Sequence, residues 1–273
     1  MPIISPANLP IEEYHQGPPE WLSKTSINKF LENGPAYWHQ AYIAKSVTVP
    51  TPGGAEQGSM LDCHETEGVE AFAARYVIAP PGLDRRTSTG KAWAAENAGK
   101  EIITSSDYAI LQDAVKALHA LPQWPEIAAC LPQMTVRRKS EALGLGLQSR
   151  PDWLAPTMTT LFDLKKTRDL REFPKQAINL GYHVQAAIAG WCLAGEGIAL
   201  EHAHLVAVEW EHGARARVYE IPHEVLSAAD ALMRDTAAEI ARRIKENDWM
   251  DHPPAQAEPL PVPDWMLRRM GAA

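Results

Sequence analysis

The feature that most limits how this chain can fold is a change of hydrophobic period at Thr135. Before it, apolar residues recur at helical spacing; after it, they alternate in short runs bounded by turn residues. Residues 1–20 are Pro-rich and read as extended chain. Ser23 or Thr25 can then cap a helix through Ile27, Phe30 and Leu31, which the Asn33-Gly34-Pro35 breaker ends. A short helix over 37–44, a loop over 48–54 and a helix over 58–72 follow. Residues 80–91 (PPGLDRRTSTGK) read as a polar, basic loop. Two helical stretches lie between 93 and 121, parted around 102–106, where Ser105 or Ser106 can cap the second before Asp107.

After the change of period, 136–142, 145–152 and 159–165 predict three strands of a meander, with turns near Gly144 and Ala155-Pro156. A long helix over 173–193 carries Ile178, Val184, Ile188 and Trp191. A hairpin over 204–210 and 214–221 turns at Glu211-His212-Gly213, and an amphipathic helix spans 226–244. This order predicts an α/β fold with one central mixed sheet and helices on both sides. The simplest organisation is a single domain over 1–273, made of an N-terminal helical segment (1–57), a core (58–250) and a Pro-rich tail (251–273).

Composition narrows the function classes. Cys63, Cys130 and Cys192 are too few and too scattered for a disulfide framework, a four-cysteine zinc site or a cysteine-held iron–sulfur cluster. No apolar run is long enough for a membrane span, and the opening MPIISPANLPIEEYHQ has no secretory pattern, so the cytoplasm is expected. The formal net charge of −8 excludes a simple DNA-coating protein. It leaves room for an enzyme that gathers carboxylates at a metal and basic residues along one groove.

The chemistry concentrates in Arg150-Pro151-Asp152, ten residues, then Asp163-Leu164-Lys165. On a strand, Asp163 and Lys165 point to the same face, and an adjacent strand can bring Asp152 beside them. Two carboxylates suit Mg²⁺, which binds one or two of them together with substrate phosphate. The metal would lower the pKa of a bound water, and Lys165 would position or help deprotonate that water and stabilise the transition state of phosphodiester hydrolysis. The same spacing also suits a turn aspartate followed by a solvated strand face, so the surrounding residues matter.

Those residues resemble a known family along most of the chain. They include Ser23-Lys24-Thr25-Ser26, Gly34-Pro35-Ala36-Tyr37, Gly58-Ser59-Met60-Leu61, Asp84-Arg85-Arg86-Thr87 with Gly90-Lys91, and Glu141. Arg150-Pro151-Asp152, Asp163-Leu164-Lys165, Gly181-Tyr182-His183-Val184-Gln185-Ala186-Ala187 and the end with Leu260-Pro261 and Trp265 continue it. Together they are similar to the RecE-type exonucleases (exodeoxyribonuclease VIII), relatives of lambda exonuclease in the PD-(D/E)xK nuclease superfamily.

The resemblance implies a PD-(D/E)xK core in which Asp152, Asp163 and the Leu164 backbone carbonyl bind Mg²⁺, with Mn²⁺ able to substitute. It makes Lys165 the catalytic lysine and places Tyr182 and Gln185, three apart on one helix face, at the border of the site. Glu141 matches an acidic position that orients water, or is a surface strand residue. Where the family has a histidine after Gly-Ser-x-Leu, this chain has Asp62; His64, two residues on, is the alternative ligand. A second departure is Lys166 in place of a threonine after the catalytic lysine.

Arg85, Arg86, Lys91, Arg137 and Lys166, with Arg138, Lys139, Arg168 and Arg171, form clusters that either neutralise DNA phosphates or are solvated faces. His202, His204 and His212 do not complete a zinc set. The implied activity is digestion of the 5′-ended strand of duplex DNA, leaving a 3′ single strand for recombination. It comes with a homo-oligomeric ring around DNA and a single-strand annealing partner. An endonuclease or flap nuclease on the same core, or a catalytically silent DNA-binding subunit, are the alternatives.

Overall fold

The computed structural model of the protein describes residues 3–5, 9–50, 55–84, 86–210, 213–251, 262 and 264–271. Strand β1 (Ile3–Ser5) and helix α1 (Ile11–His15) stand where extended chain is expected, followed by β2 (Trp21–Leu22) and α2 (Lys24–Tyr42). Ser23 is the N-cap of α2, and the Ser26 hydroxyl accepts from its N–H at 2.9 Å. Gly34 (φ +79°) and Pro35 kink α2 rather than end it. The two halves stay joined because the Trp38 indole N–H reaches the Ser26 carbonyl at 3.0 Å.

The expected helix over 58–72 is interrupted. Helix α3 (Ala55–Asp62) passes into a π-helical turn (Cys63–Glu67), breaks at Gly68 (φ +93°) and resumes as α4 (Val69–Arg75). Then come β3 (Tyr76–Ile78), α5 (Ser88–Glu96), β4 (Glu101–Ile103), α6 (Ser105–His119) and α7 (Trp124–Ala128). Residues 88–91, expected in a loop, open α5. The cap of α6 is Thr104, whose hydroxyl accepts from Asp107 N–H at 3.0 Å, one residue before the expected serines.

The remaining elements are β5 (Leu131–Pro132), β6 (Thr135–Ser140), β7 (Leu145–Ser149), β8 (Trp153–Leu154), β9 (Thr160–Thr167), α8 (Phe173–Asn179), α9 (Tyr182–Ala194), β10 (His202–Glu209), β11 (Ala216–Glu220), α10 (His223–Glu246) and α11 (Asp264–Arg269). The expected meander is divided between two sheets. β6 and β7 lie in the order β1-β6-β7-β2, whereas β9 lies in β11-β10-β9-β8-β5. The chain leaves β7 through Arg150-Pro151-Asp152 and enters the second sheet at β8. Proline supplies no N–H to a ladder, so the switch falls where the sequence cannot continue one. The long helix expected over 173–193 is likewise two helices, parted by Leu180 and the left-handed Gly181 (φ +63°).

Strands β9 and β10 are parallel and alternate cleanly across the second sheet. Leu161, Ala203, Leu205 and Ala207 pack with α2, α9 and α10, while Phe162, Leu164, Val206 and Val208 pack with α3 and α6. Helices thus cover both faces, as the sequence order predicts. The residues between 252 and 261, with Arg85 and His212, lie outside the described residues, so the expectations placed on them stop here.

Candidate active site

The alternation that buries Leu161 on one face and Phe162 on the other puts Asp163 and Lys165 on the face that α9 covers. Asp163 is 2% exposed. The Lys165 ammonium lies 2.5 Å from Asp163 Oδ2 and 4.0 Å from Asp152 Oδ2. Asp152 faces β9 across the β8–β9 pairing, and its Oδ2 accepts from the Leu164 N–H at 2.5 Å. Helix α9 begins beside the strand because Gly181 turns the chain there; Gln185 then donates to Asp163 Oδ1 at 2.8 Å. The ammonium groups of Lys165 and Lys24 both sit over the Tyr182 ring, each 5.1 Å from its centre. Lys165 also donates to the Leu164 carbonyl at 3.1 Å.

Asp62 completes the cluster from the end of α3. Its Oδ1 accepts from Thr66 Oγ1 at 3.2 Å and from Gln133 Nε2 at 3.1 Å, and the same amide nitrogen reaches Asp152 Oδ1 at 3.2 Å. The π-helical turn aims Asp62 and Thr66 together. His64 points elsewhere: its Nδ1 pairs with Glu65 at 2.7 Å, and Glu65 also holds His119 at 2.7 Å. Of the two alternatives at this position, Asp62 is the one in the cluster.

The electrostatics are those of crowded anions. Burial, then the Asp62 and Asp163 carboxylates, push Asp152 well above the ordinary carboxylate range. Burial pushes Asp62 up as well. For Lys165, burial pulls downward, but Asp163 and Asp152 outweigh it and hold the ammonium above its usual 10.5. Lys24 is pulled down to about 8 by burial and by Lys165. Asp163 Oδ2 is buried and faces the Lys165 ammonium. Three carboxylates against one ammonium leave excess negative charge away from water, which a hard dication with oxygen ligands suits. As they stand, no three His, Cys, Asp or Glu side chains among the described residues are close enough to hold a metal ion. Lys165 and the Gln133 amide lie among the carboxylates.

Asp62 and Asp152 open into a groove of about 1420 Å³ that is also lined by Ser23, Lys24, Arg75 and Arg150. These are not the basic residues singled out by sequence clustering. Arg86 pairs with Asp84 at 2.9 Å and, like Lys91, is exposed. Arg137 packs on Trp21 and donates to Gln148 at 2.9 Å. Lys166 reaches Gln57 at 2.7 Å. None of the four lines the groove. Glu141 sits in the exposed turn after β6, at the opposite end of the β6–β7 hairpin from Asp152, so no role in orienting water follows for it. Gln133 and Arg75 carry no local signal that sequence reading could have used; Lys24 and Arg150 stood in the quoted motifs without a role.

No family model and no curated protein matches this chain. A crystal structure from Eubacterium rectale, named a "putative exonuclease", is similar over 97% of this chain and 98% of its own, with a TM-score of 0.63 and 12% identity. At that identity the likeness is one of fold: the mixed α/β architecture of a protein named as a nuclease. No helix among the described residues is long and apolar enough to cross a membrane.

Proposed function

We propose that this protein is a Mg²⁺-dependent deoxyribonuclease of the PD-(D/E)xK type that degrades the 5′-ended strand from duplex ends, with Mn²⁺ able to replace Mg²⁺. The observation that carries the reading is the meeting of Asp62, Asp152, Asp163 and Lys165 beside a groove with its own cations. Asp62, Asp152, Asp163 and the Leu164 carbonyl are the ligands. When bound, the ion supplies Lewis acidity and neutralises charge developing on the scissile phosphate.

The chain's own residues do the rest. Lys165 remains an ammonium at neutral pH, so in this arrangement it acts as a donor and counter-charge toward phosphate oxygens rather than as a base. Gln185 holds Asp163 in its rotamer. Lys24 and Arg150 line the path of a phosphodiester backbone. Ring assembly and a single-strand annealing partner belong to the same proposal, as what the family resemblance implies.

The test is digestion of 5′- and 3′-end-labelled linear duplex, with closed circles as control, with and without Mg²⁺. The expected result is Mg²⁺-dependent loss of the 5′-ended strand with circles spared, and no cleavage but retained DNA binding in Asp163→Ala. Cut circles would replace the exonuclease with an endonuclease. Cleavage surviving in Asp163→Ala would remove the site assignment.

A further inference from the structure

Gln133 has no place in the reaction above, yet it is tied into the carboxylate cluster more tightly than any other neutral side chain there. Its Nε2 stands 3.1 Å from Asp62 Oδ1, 3.2 Å from Asp152 Oδ1 and 3.0 Å from Thr66 Oγ1. One amide nitrogen thus faces three oxygens, two of them carboxylate, from two separate parts of the chain. Its orientation is enforced from the other side, because Arg150 Nε donates to Gln133 Oε1 at 2.9 Å. A flipped amide would set an oxygen against both carboxylates and an NH₂ against a guanidinium, so the donor face must point into the cluster.

The backbone is also committed. Gln133 has φ +52°, a left-handed conformation unusual for a residue with a side chain, and its N–H donates to the Asp152 carbonyl at 2.9 Å. Strain of this kind persists where surrounding structure holds it and is a pointer to function. Here it delivers an amide to the place where Asp62 and Asp152 converge.

We propose that Gln133 is an amide plug: its NH₂ holds Asp62 and Asp152 together in the absence of a cation and must withdraw when a divalent cation enters. This rests on the metal-binding reading above. The reason is one of charge. An amide NH₂ is a hydrogen-bond donor, so it satisfies two carboxylates, but it opposes a cation held by the same oxygens. Gln133 therefore sets how readily the site loads. Arg150, which also donates to the Leu9 carbonyl at 3.0 Å, ties that withdrawal to the N-terminal segment at the groove.

The measurement is Mn²⁺ binding to the full chain by calorimetry, with melting temperature read with and without saturating Mn²⁺, for wild type, Gln133→Ala and Gln133→Met. Methionine keeps the bulk of the side chain without the donor, which guards against an alanine variant that fails to fold. Loss of the plug should tighten Mn²⁺ binding by about tenfold, since two charge-assisted hydrogen bonds no longer compete. The melting temperature should fall without metal and return toward wild type with it. A purely structural Gln133 predicts the same fall with and without Mn²⁺ and binding that is unchanged or weaker, which overturns the plug alone. No Mn²⁺ binding by wild type or variants overturns the plug and the metal reading together.

Discussion

Replacing Lys165 with methionine tests whether the site is an electrostatic balance rather than a collection of polar contacts. The ammonium is 2.5 Å from Asp163 Oδ2 and 4.0 Å from Asp152 Oδ2, with the Asp163 side chain 3% exposed. At an effective dielectric of about 20, Coulomb's law gives attractions of about 7 and about 4 kcal/mol at those distances. Desolvating the three ions costs several kcal/mol each and cancels most of that. Removing the cation alone does not return the desolvation cost, because both carboxylates stay buried. Lys165→Met should therefore cost about 3–5 kcal/mol without metal. Since the lysine pKa is raised above 10.5, its contribution is present at neutral pH and is lost only as pH rises through the raised value, so the comparison is made at pH 7. Urea denaturation followed by tryptophan fluorescence reads it. Two controls identify the cause: Mg²⁺ at about a hundred times its Kd should restore about 2.7 kcal/mol, and adding Asp163→Asn should recover part of the loss. A cost under about 1 kcal/mol without metal, or a double variant as unstable as the single, would refute the argument that Lys165 neutralises these carboxylates.

Two further outcomes follow from the groove and the helix break. Gly181→Ala must place a Cβ 2.5 Å from Asn28 Nδ2 at a backbone φ of +63°, so it should cost about 1–3 kcal/mol and lower cleavage through the adjacent Tyr182; an unchanged melting temperature would contradict it. Lys24 titrates near 8 when folded against 10.5 unfolded, so the unfolded chain binds more protons between those values and stability should rise with pH across them. Lys24→Met should remove that rise, by up to about 3 kcal/mol, and an identical pH slope in both proteins would place the shift on another group.

What could be read in the sequence was what one strand or one helix decides by itself. Asp163 and Lys165 share a face because strand period is two, and Tyr182 and Gln185 share one because helical neighbours lie three apart. The helix expected over 226–244, found as α10, was equally local, whereas Gly34-Pro35 kinks α2 where the sequence reading ends a helix. The failures occur where a local rule meets a distant partner. Residues 173–193 have a continuous helical pattern, but Gly181 packs against Asn28 of α2, and the Asn28 amide takes the Leu180 carbonyl at 2.9 Å that an unbroken helix would use. The alternation over 136–165 suggests one meander. Nothing in that alternation says that the chain changes sheets at Pro151.

The same limit governs the basic clusters. Arg137 belongs to a run of three cations, and a run invites an electrostatic reading. In the fold, strand alternation scatters that run: Arg137 and Lys139 lie over Trp21 on one face, while Arg138 lies over Trp191 on the other. Lys24, Arg75 and Arg150 stand 51 and 75 residues apart in the chain, yet they line one groove. A groove that takes a phosphodiester backbone must place cations at successive phosphates along a path that crosses several elements. Charges along such a path are therefore dispersed in sequence, whereas Asp163 and Lys165 beside it are set by strand geometry that a period of two already reveals. The pair that one strand sets by itself is the legible part, and the groove lined from distant residues is the part that only packing brings together.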